Sequence, residues 1–129
     1  MPARPERPDV PPPLVERLRG LLAFPECVEE DAWTGVRWRV RKTTVAHVFG
    51  GRDQLFRVTF RAEPQEVQAF EHLGHPYFRV GGNAVGVVLD DGTDWEELGE
   101  LLTDSYCIQA PRRLADAVDR PPAPEDAVG

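Results

Sequence analysis

The stretch "GVRWRVRK", residues 35–42, decides how this sequence is interpreted. Four basic residues fall within six positions, and Trp38 and Val40 alternate with the arginines. Alternation with a period of two predicts a β-strand with one apolar face and one basic face. A basic strand face is unexpected here, because the whole chain has a net charge of −7 and a pI of ≈ 4.9.

The basic charge is concentrated in the middle of the chain. Residues 37–79 carry a net charge of +4, whereas residues 1–36 carry −3 and residues 80–129 carry −8. All but one of the 15 basic residues are arginine, so an arginine count by itself reflects genome composition as readily as function. The net charge therefore hides a basic segment between acidic ends.

Length and composition predict a single soluble domain. The chain has 129 residues, 41% of them apolar, which is enough for a hydrophobic core. No apolar run approaches the roughly 20 residues of a membrane span, and no secretory signal is visible. Two cysteines do not make a disulfide framework. We expect a cytoplasmic protein with a disordered leader at 1–10, one domain at 11–118 and a disordered tail at 119–129.

Periodicity and turn residues predict the element order α-β(3-4)-α-β(2)-α. Helices are expected at 12–24, 63–73 and 93–110, with a short helical turn after Pro111. Strands are expected at 29–33, 36–41, 44–49, 54–61, 76–80 and 84–89. This order favours an α+β two-layer sandwich, in which helices cover one face of an antiparallel sheet. The other face is then open, or covered by a partner.

Hairpin turns of the simplest lengths divide the strand residues between the two faces of that sheet. The core face would hold Trp33, Trp38, Val40, Val45, Phe49, Phe56, Val58 and Phe60, with His47 as a hydrogen-bonded core histidine. The open face would hold Arg37, Arg39, Arg41, Val48, Leu55, Arg57, Thr59 and Arg61, extended by Tyr77 and Arg79. A slip of one residue would reverse these assignments.

Three interpretations of the basic face stay open at this point. Cross-strand ion pairs, starting with Glu30 opposite Arg39, would make it an ordinary salt-bridged surface. Arginine also matches the geometry of phosphate, which favours a nucleic-acid surface. Val48 and Leu55, ringed by arginine, are typical of a protein interface.

The other candidate chemistry in the sequence is weak. His72 and His75 have the spacing of two zinc ligands but lack a third. The acidic run at 90–100 fits a helix N-terminus better than a calcium loop. Cys27 and Cys107 have no sequence-local base and are expected to be buried thiols. We therefore expect no enzyme, no cofactor and no metal site.

Four segments of the chain resemble the MmcQ/YjbR family. They are "FPECVEEDAW" (24–33), "WRVRKTTVAHV" (38–48), "LFRVTFRAEPQEVQAF" (55–70) and "VVLDDGTDWEELGELLTDSYCIQAPRRL" (87–114). The last is the most specific, because its helix is opened by Asp-Trp and closed by Ser-Tyr. Together they extend the resemblance over about residues 13–118.

The resemblance implies a CyaY-like or secretion-chaperone-like fold and a DNA-binding protein with a double-wing motif, and it brings no catalytic residues. Arg39, Arg41 and Lys42 match positions at which family members often carry basic residues. Arg112 and Arg113 match a frequent basic pair. The segment at 79–86 departs from the family pattern, since it has no tryptophan.

The leading hypothesis is a DNA-binding protein whose contacts are mostly non-specific, because no recognition helix is evident. The candidate phosphate-binding residues are Arg37, Arg39, Arg41, Lys42, Arg57, Arg61 and Arg79. The alternative is a protein-interaction module or homodimer that uses the same open sheet face. Neither hypothesis involves a membrane.

Overall fold

An antiparallel sheet with helices on one face makes up the part of the chain that the computed structural model describes, residues 6–118. The helices are α1 (Pro12–Leu21), α2 (Pro64–Leu73), α3 (Trp95–Gln109) and α4 (Arg112–Ala115). The strands are β1 (Cys27–Asp31), β2 (Val36–Val40), β3 (Thr43–Gly50), β4 (Phe56–Arg61), β5 (Tyr77–Gly81) and β6 (Ala84–Leu89). Their order in the sheet is β1-β2-β3-β4-β6-β5. The predicted α+β sandwich is confirmed.

The hydrophobic core lies between the sheet and the helices. Leu18 of α1 and Leu102 of α3 are fully buried, together with Trp38 of β2. Phe70 of α2 meets Phe60 of β4 edge to face, with ring centroids 6.3 Å apart. Burial of one apolar stripe on each helix is the main force that holds the two layers together.

Both long helices that follow the β1–β4 meander begin with side-chain caps. Glu63 and Glu66 form a reciprocal capping box ahead of Pro64 in α2. In α3 the Asp94 carboxylate accepts a hydrogen bond from the Glu97 backbone N–H at 3.1 Å. The acidic run at 90–100 thus supplies the N-cap of α3.

The face assignment of β3 was wrong by one residue. A two-residue turn at Arg41-Lys42, with Arg41 at φ 56°, starts β3 at Thr43 rather than at residue 44. The register with β2 then shifts at Trp38/Arg39, so that Val45 is an extra residue, as in a β-bulge.

As a consequence, the side chains of β3 that follow the bulge, from Ala46 to Phe49, point to the opposite faces from those predicted, whereas Val45 is buried as predicted. Val45, Ala46 and Val48 are all completely buried, so Val48 cannot anchor a partner on the open face. Phe49 and His47 lie on the open face instead, since His47 pairs with Arg37 and Phe49 with Arg57.

Two other apolar side chains predicted to lie on a sheet face are in loops. β1 ends at Asp31, which pairs with Val36, so the connection to β2 is longer than the predicted two-residue turn. Trp33 falls in this connection and is fully exposed rather than in the core. Leu55 precedes β4 and is 44% exposed.

Gly35 is the residue that makes the β1–β2 connection fit against β3. It has a φ of 75°, which glycine adopts without strain. A Cβ atom here would also lie only 1.9 Å from the backbone oxygen of Val48. Any other residue would have to push the turn away from β3.

Residues 6–10 cross the end of β3 ahead of α1. The Gln54 side-chain amide donates to the backbone carbonyl of Glu6 at 3.0 Å, Pro8 lies against Gly50, and Val10 packs on the core. Residues 1–5 and 119–129 lie outside the described range. The predicted domain bounds and the disorder of leader and tail stay predictions.

Candidate nucleic-acid interface

The sheet face opposite the helices is the candidate interface and is called the open face below. Within residues 6–118, α1, α2 and α3 pack on the other side of the sheet. The strand registers place the following side chains on the open face: Val28, Glu30, Arg37, Arg39, His47, Phe49, Arg57, Thr59, Arg61 and Phe78. Its composition is therefore basic and aromatic, with one carboxylate from the strands.

Arg37 and Arg39 share a single carboxylate. Glu30 pairs with Arg37 in the β1–β2 ladder, and its Oε1 accepts from Nε of Arg37 at 2.5 Å and lies 2.8 Å from Nε of Arg39. From the sequence, Glu30 is expected opposite Arg39. The actual register differs by two residues, which leaves the faces unchanged. One negative charge between two arginines leaves a net positive charge at this position.

Arg57 is held by its own loop. Its two terminal nitrogens lie 3.0 and 2.6 Å from the two carboxylate oxygens of Asp53. The hydrogen bonds from Arg57, and a further one from the Leu55 backbone N–H, lower the pKa of the Asp53 carboxyl to about 2. A bidentate pair of this kind fixes both side chains, so Arg57 is the arginine of the open face least available to a phosphate.

Arg41 and Lys42 occupy the turn between β2 and β3 at one end of the open face. Arg41 lies 3.3 Å from Glu26, a carboxylate that also lies 3.7 Å from Arg113. Lys42 is exposed and makes no ion pair with a residue in the described range. Both side chains project from the rim of the sheet rather than from its surface.

Arg61 is the arginine of β4 that has no carboxylate partner among residues 6–118. It lies two residues beyond Thr59 on the same face of β4, at the end of the strand opposite Arg57. Its position combines a strand location with an unpaired guanidinium. Arg61 is therefore the most available cation on the open face.

Arg79 does not lie on the open face. It pairs with Val85, a fully buried core residue, and its guanidinium lies 3.4 Å from Glu71 of α2. Tyr77 likewise points to the helix side, where its hydroxyl donates to Glu97 at 2.7 Å. The predicted extension of the basic face by these two residues was wrong, because β5 has the opposite face alternation from that assumed.

The centre of the open face is aromatic, which sequence reasoning missed. His47 and Phe49 of β3 have ring centroids 5.0 Å apart, and the ring of Phe78 in β5 lies over Gly86 of β6. A Cβ at Gly86 would be 2.1 Å from this ring, so glycine is needed there. With Thr59 between them, these groups border a shallow hollow of about 460 Å³, which is also lined by Arg7, Thr34, Arg79 and Val80.

Comparison with known proteins identifies the family. The model of the YjbR family matches residues 22–108, which is more than half of the chain and covers β1 through most of α3. The chain belongs to the YjbR family. The resemblance noted in the sequence is thereby confirmed, and no curated protein matches the chain significantly.

A solved structure supports the fold of this YjbR protein. The crystal structure of protein DR2400 from Deinococcus radiodurans, which contains a DUF419 domain, superposes with a TM-score of 0.60. The two chains are 22% identical, and the match covers 73% of this chain and 76% of that one. The similarity shows a shared fold.

The Ser-Tyr pair that closes α3 ties this helix to the irregular part of the sheet. In the β3–β4 register, Val45 would face Arg61, but the Ser105 hydroxyl lies between them. Its Oγ donates to the Val45 carbonyl at 2.6 Å and accepts from the Arg61 N–H at 2.8 Å. Next to it, Tyr106 donates to the Pro25 carbonyl at 2.6 Å.

The thiol of Cys27 is suppressed as a nucleophile by its surroundings in the YjbR protein. Burial raises the pKa of the Cys27 thiol to about 11, which suppresses the thiolate at neutral pH. In the described part of the chain, no group of three or more His, Cys, Asp or Glu residues is arranged to hold a metal ion. Among the helices of residues 6–118, none is long and apolar enough to cross a membrane.

Proposed function

We propose that this YjbR-family protein is a non-enzymatic binding protein that contacts DNA phosphates through its open face. The observation that carries the proposal is the charge of that face. Three arginines face solvent there: Arg37, Arg39 and Arg61. Glu30 is the one carboxylate that the strands place on this face, and no helix of the described chain covers it. Arginine forms paired hydrogen bonds with phosphate, so a face of this kind suits a polyanion.

The charge distribution of the protein would orient DNA toward this face. The exposed side of α3 carries Glu96, Glu97, Glu100 and Asp104, and no basic residue lies within the helix. α3 packs on the other side of the sheet from the arginines. Because the helix side repels phosphate and the open face attracts it, approach is favoured from one side only.

The proposed phosphate-binding residues are fewer than the seven expected from the sequence. Arg37, Arg39 and Arg61 are the contacts on the sheet, and Arg41 and Lys42 extend them at the turn. Arg57 contributes to the local potential but is engaged by Asp53. Arg79 is excluded from the set, because it lies on the helix side with Glu71.

The proposal is tested by titrating fluorescently labelled DNA with the protein over a range of salt concentrations. If about three phosphates are contacted, the logarithm of the affinity should fall with the logarithm of salt with a slope of about −2 to −3. Arg61→Ala should weaken binding and flatten that slope. Arg19→Ala is the matched control, since it removes the same charge from the helix side, where Arg19 pairs with Glu29. No measurable binding at about 20 mM salt would refute the proposal.

A second candidate function is a protein interface, and one observation favours it. Trp33 is fully exposed in the β1–β2 connection, beside the open face, and Val28 on that face is 59% exposed. Exposed tryptophan is a frequent anchor of protein interfaces. Sedimentation of the wild type and of Trp33→Ser separates the two functions: a dimer that dissociates in the variant supports the interface, and a monomer in both supports DNA binding.

A further inference from the structure

The centre of the open face is a slot bordered by aromatic rings on two sides. One cross-strand row runs from His47 in β3 through Thr59 in β4 and Gly86 in β6 to Phe78 in β5. Thr59 is small and forms the floor, and the ring of Phe78 covers Gly86. The two outer residues are rings, and Phe49 stands beside His47 with a centroid distance of 5.0 Å. The result is the hollow of about 460 Å³.

Arginine side chains surround this slot. Arg57 and Arg61 stand two residues to either side of Thr59 on β4, which places their Cα atoms roughly 7 Å from it. Arg37 is the neighbour of His47 in the same row. The guanidinium carbon of Arg7 lies over the ring of Phe49, 6.0 Å from its centroid, so a cation also contacts one of the aromatic rings.

Aromatic rings framed by arginine suit a flat, apolar ring that is attached to an anionic backbone. An unpaired nucleobase has such a ring with a free π-face, and its backbone supplies a phosphate at each nucleotide. In a duplex, by contrast, each base face is already stacked on its neighbours. An open sheet face also has no helix to insert into a major groove.

We infer that the open face of this protein binds single-stranded nucleic acid, with an unpaired base stacked in the slot formed by His47, Phe49 and Phe78 over Thr59. The inference rests on the proposed function and specifies its ligand. The arginines would hold the phosphates on either side of the stacked base. Base stacking tolerates any sequence, which agrees with the lack of a base-reading helix.

The test compares three labelled probes at low salt: a thymidine oligomer of about a dozen nucleotides, a duplex of the same length and a thymidine mononucleotide. The oligomer should bind more tightly than either of the others. Phe78→Ala removes one wall of the slot and should weaken oligomer binding about tenfold or more. Phe78→Trp retains a stacking ring and should bind like the wild type.

Trp95→Leu serves as the control for loss of an aromatic ring, since Trp95 stacks on Arg17 at the helix side, 4.1 Å from its guanidinium carbon. Circular dichroism confirms that each variant is folded. Equal binding of duplex and oligomer, unchanged in Phe78→Ala, would overturn the inference and leave the proposed function standing. Mononucleotide affinity equal to that of the oligomer would also overturn it. If none of the three probes binds, the proposed function is refuted as well.

Discussion

Ser105 accepts a hydrogen bond from the backbone N–H of Arg61, at a distance of 2.8 Å. The same hydroxyl donates to the Val45 carbonyl, so α3 bridges β3 and β4 just beyond the last pair of their ladder, Ala46 and Phe60. Arg61 is also the strand arginine without a carboxylate partner in residues 6–118. A buried serine of the helix layer therefore fixes the backbone that presents the most available cation on the open face.

Ser105→Ala should destabilise the fold. The change leaves the Val45 carbonyl and the Arg61 N–H without their shared partner, in a place where Ser105 is completely buried. Loss of such a partner typically costs about 1–3 kcal/mol of unfolding free energy. Urea denaturation measures it. Thr103→Ala is the control, because Thr103 only bonds to the Gly99 carbonyl of its own helix, and it should change stability by less than about 0.5 kcal/mol.

The ion pair of Asp53 and Arg57 should make stability depend on pH under acidic conditions. The pKa of Asp53 is about 2 in the folded protein and about 3.9 in an unfolded chain. Since the folded pKa is the lower one, its contribution is present above about pH 4 and is lost as the pH falls toward 2.

Melting temperatures measured from neutral pH down to about pH 2 test this dependence. Asp53→Asn should be less stable than the wild type at neutral pH, and the difference should shrink at the acidic end. A constant difference for Asp53→Asn would contradict the role assigned to the pair.

The thiol of Cys27 should react slowly with alkylating reagents. With a pKa of about 11, caused by burial, only about 1% of it is thiolate at pH 9, where an ordinary thiol is largely ionised. The rate of reaction with iodoacetamide in a Cys107→Ser background should therefore still be rising above about pH 10. A rate that levels off near pH 9 would show that the thiol is not buried as described.

The helices and the faces of β2 and β4 could be predicted from the sequence. Their patterns are strong: Trp38 and Val40 alternate with arginines, and proline stands at the start of α1 and α2. In both strands the predicted core residues are buried or partly buried. Periodicity suffices where one face of an element is clearly apolar.

The face of most of β3 could not be predicted, because it depends on a β-bulge within the strand. The sequence "TTVAHVFG" at 43–50 has apolar residues at both odd and even positions, so either alternation fills a core. The extra residue Val45 decided it, since the two-residue turn at Arg41-Lys42 leaves the predicted alternation unchanged. A single extra residue within a strand reverses the faces of the residues that follow it, which hid the aromatic centre of the open face from sequence reasoning.

The ion pairs of the open face were predicted in kind but not in extent. Glu30 was expected opposite one arginine and in fact contacts two. The pairing of Arg57 with Asp53 depends on the conformation of the loop at 51–55, which has no periodic pattern. Which arginines keep a free guanidinium is therefore a property of the folded chain that composition does not show.

A charge-matched pair of variants tests the central claim most directly. Glu30 lies on the open face with Arg37 and Arg39, and its neighbour Glu29 lies on the helix side, 2.8 Å from Arg19. Both Glu→Gln changes raise the net charge by one, so a difference between them reports only the face. The measurement is the affinity for single-stranded DNA as a function of salt, taken for the wild type and for each variant.

If the open face binds phosphates, Glu30→Gln should tighten binding several-fold, because it releases an arginine from its carboxylate. It should also steepen the dependence on salt by about 0.7 in logarithmic slope, the amount expected of one additional phosphate contact on a single strand. Glu29→Gln should change neither quantity by as much. Equal effects of the two variants, or no effect of Glu30→Gln, would contradict DNA binding by the open face.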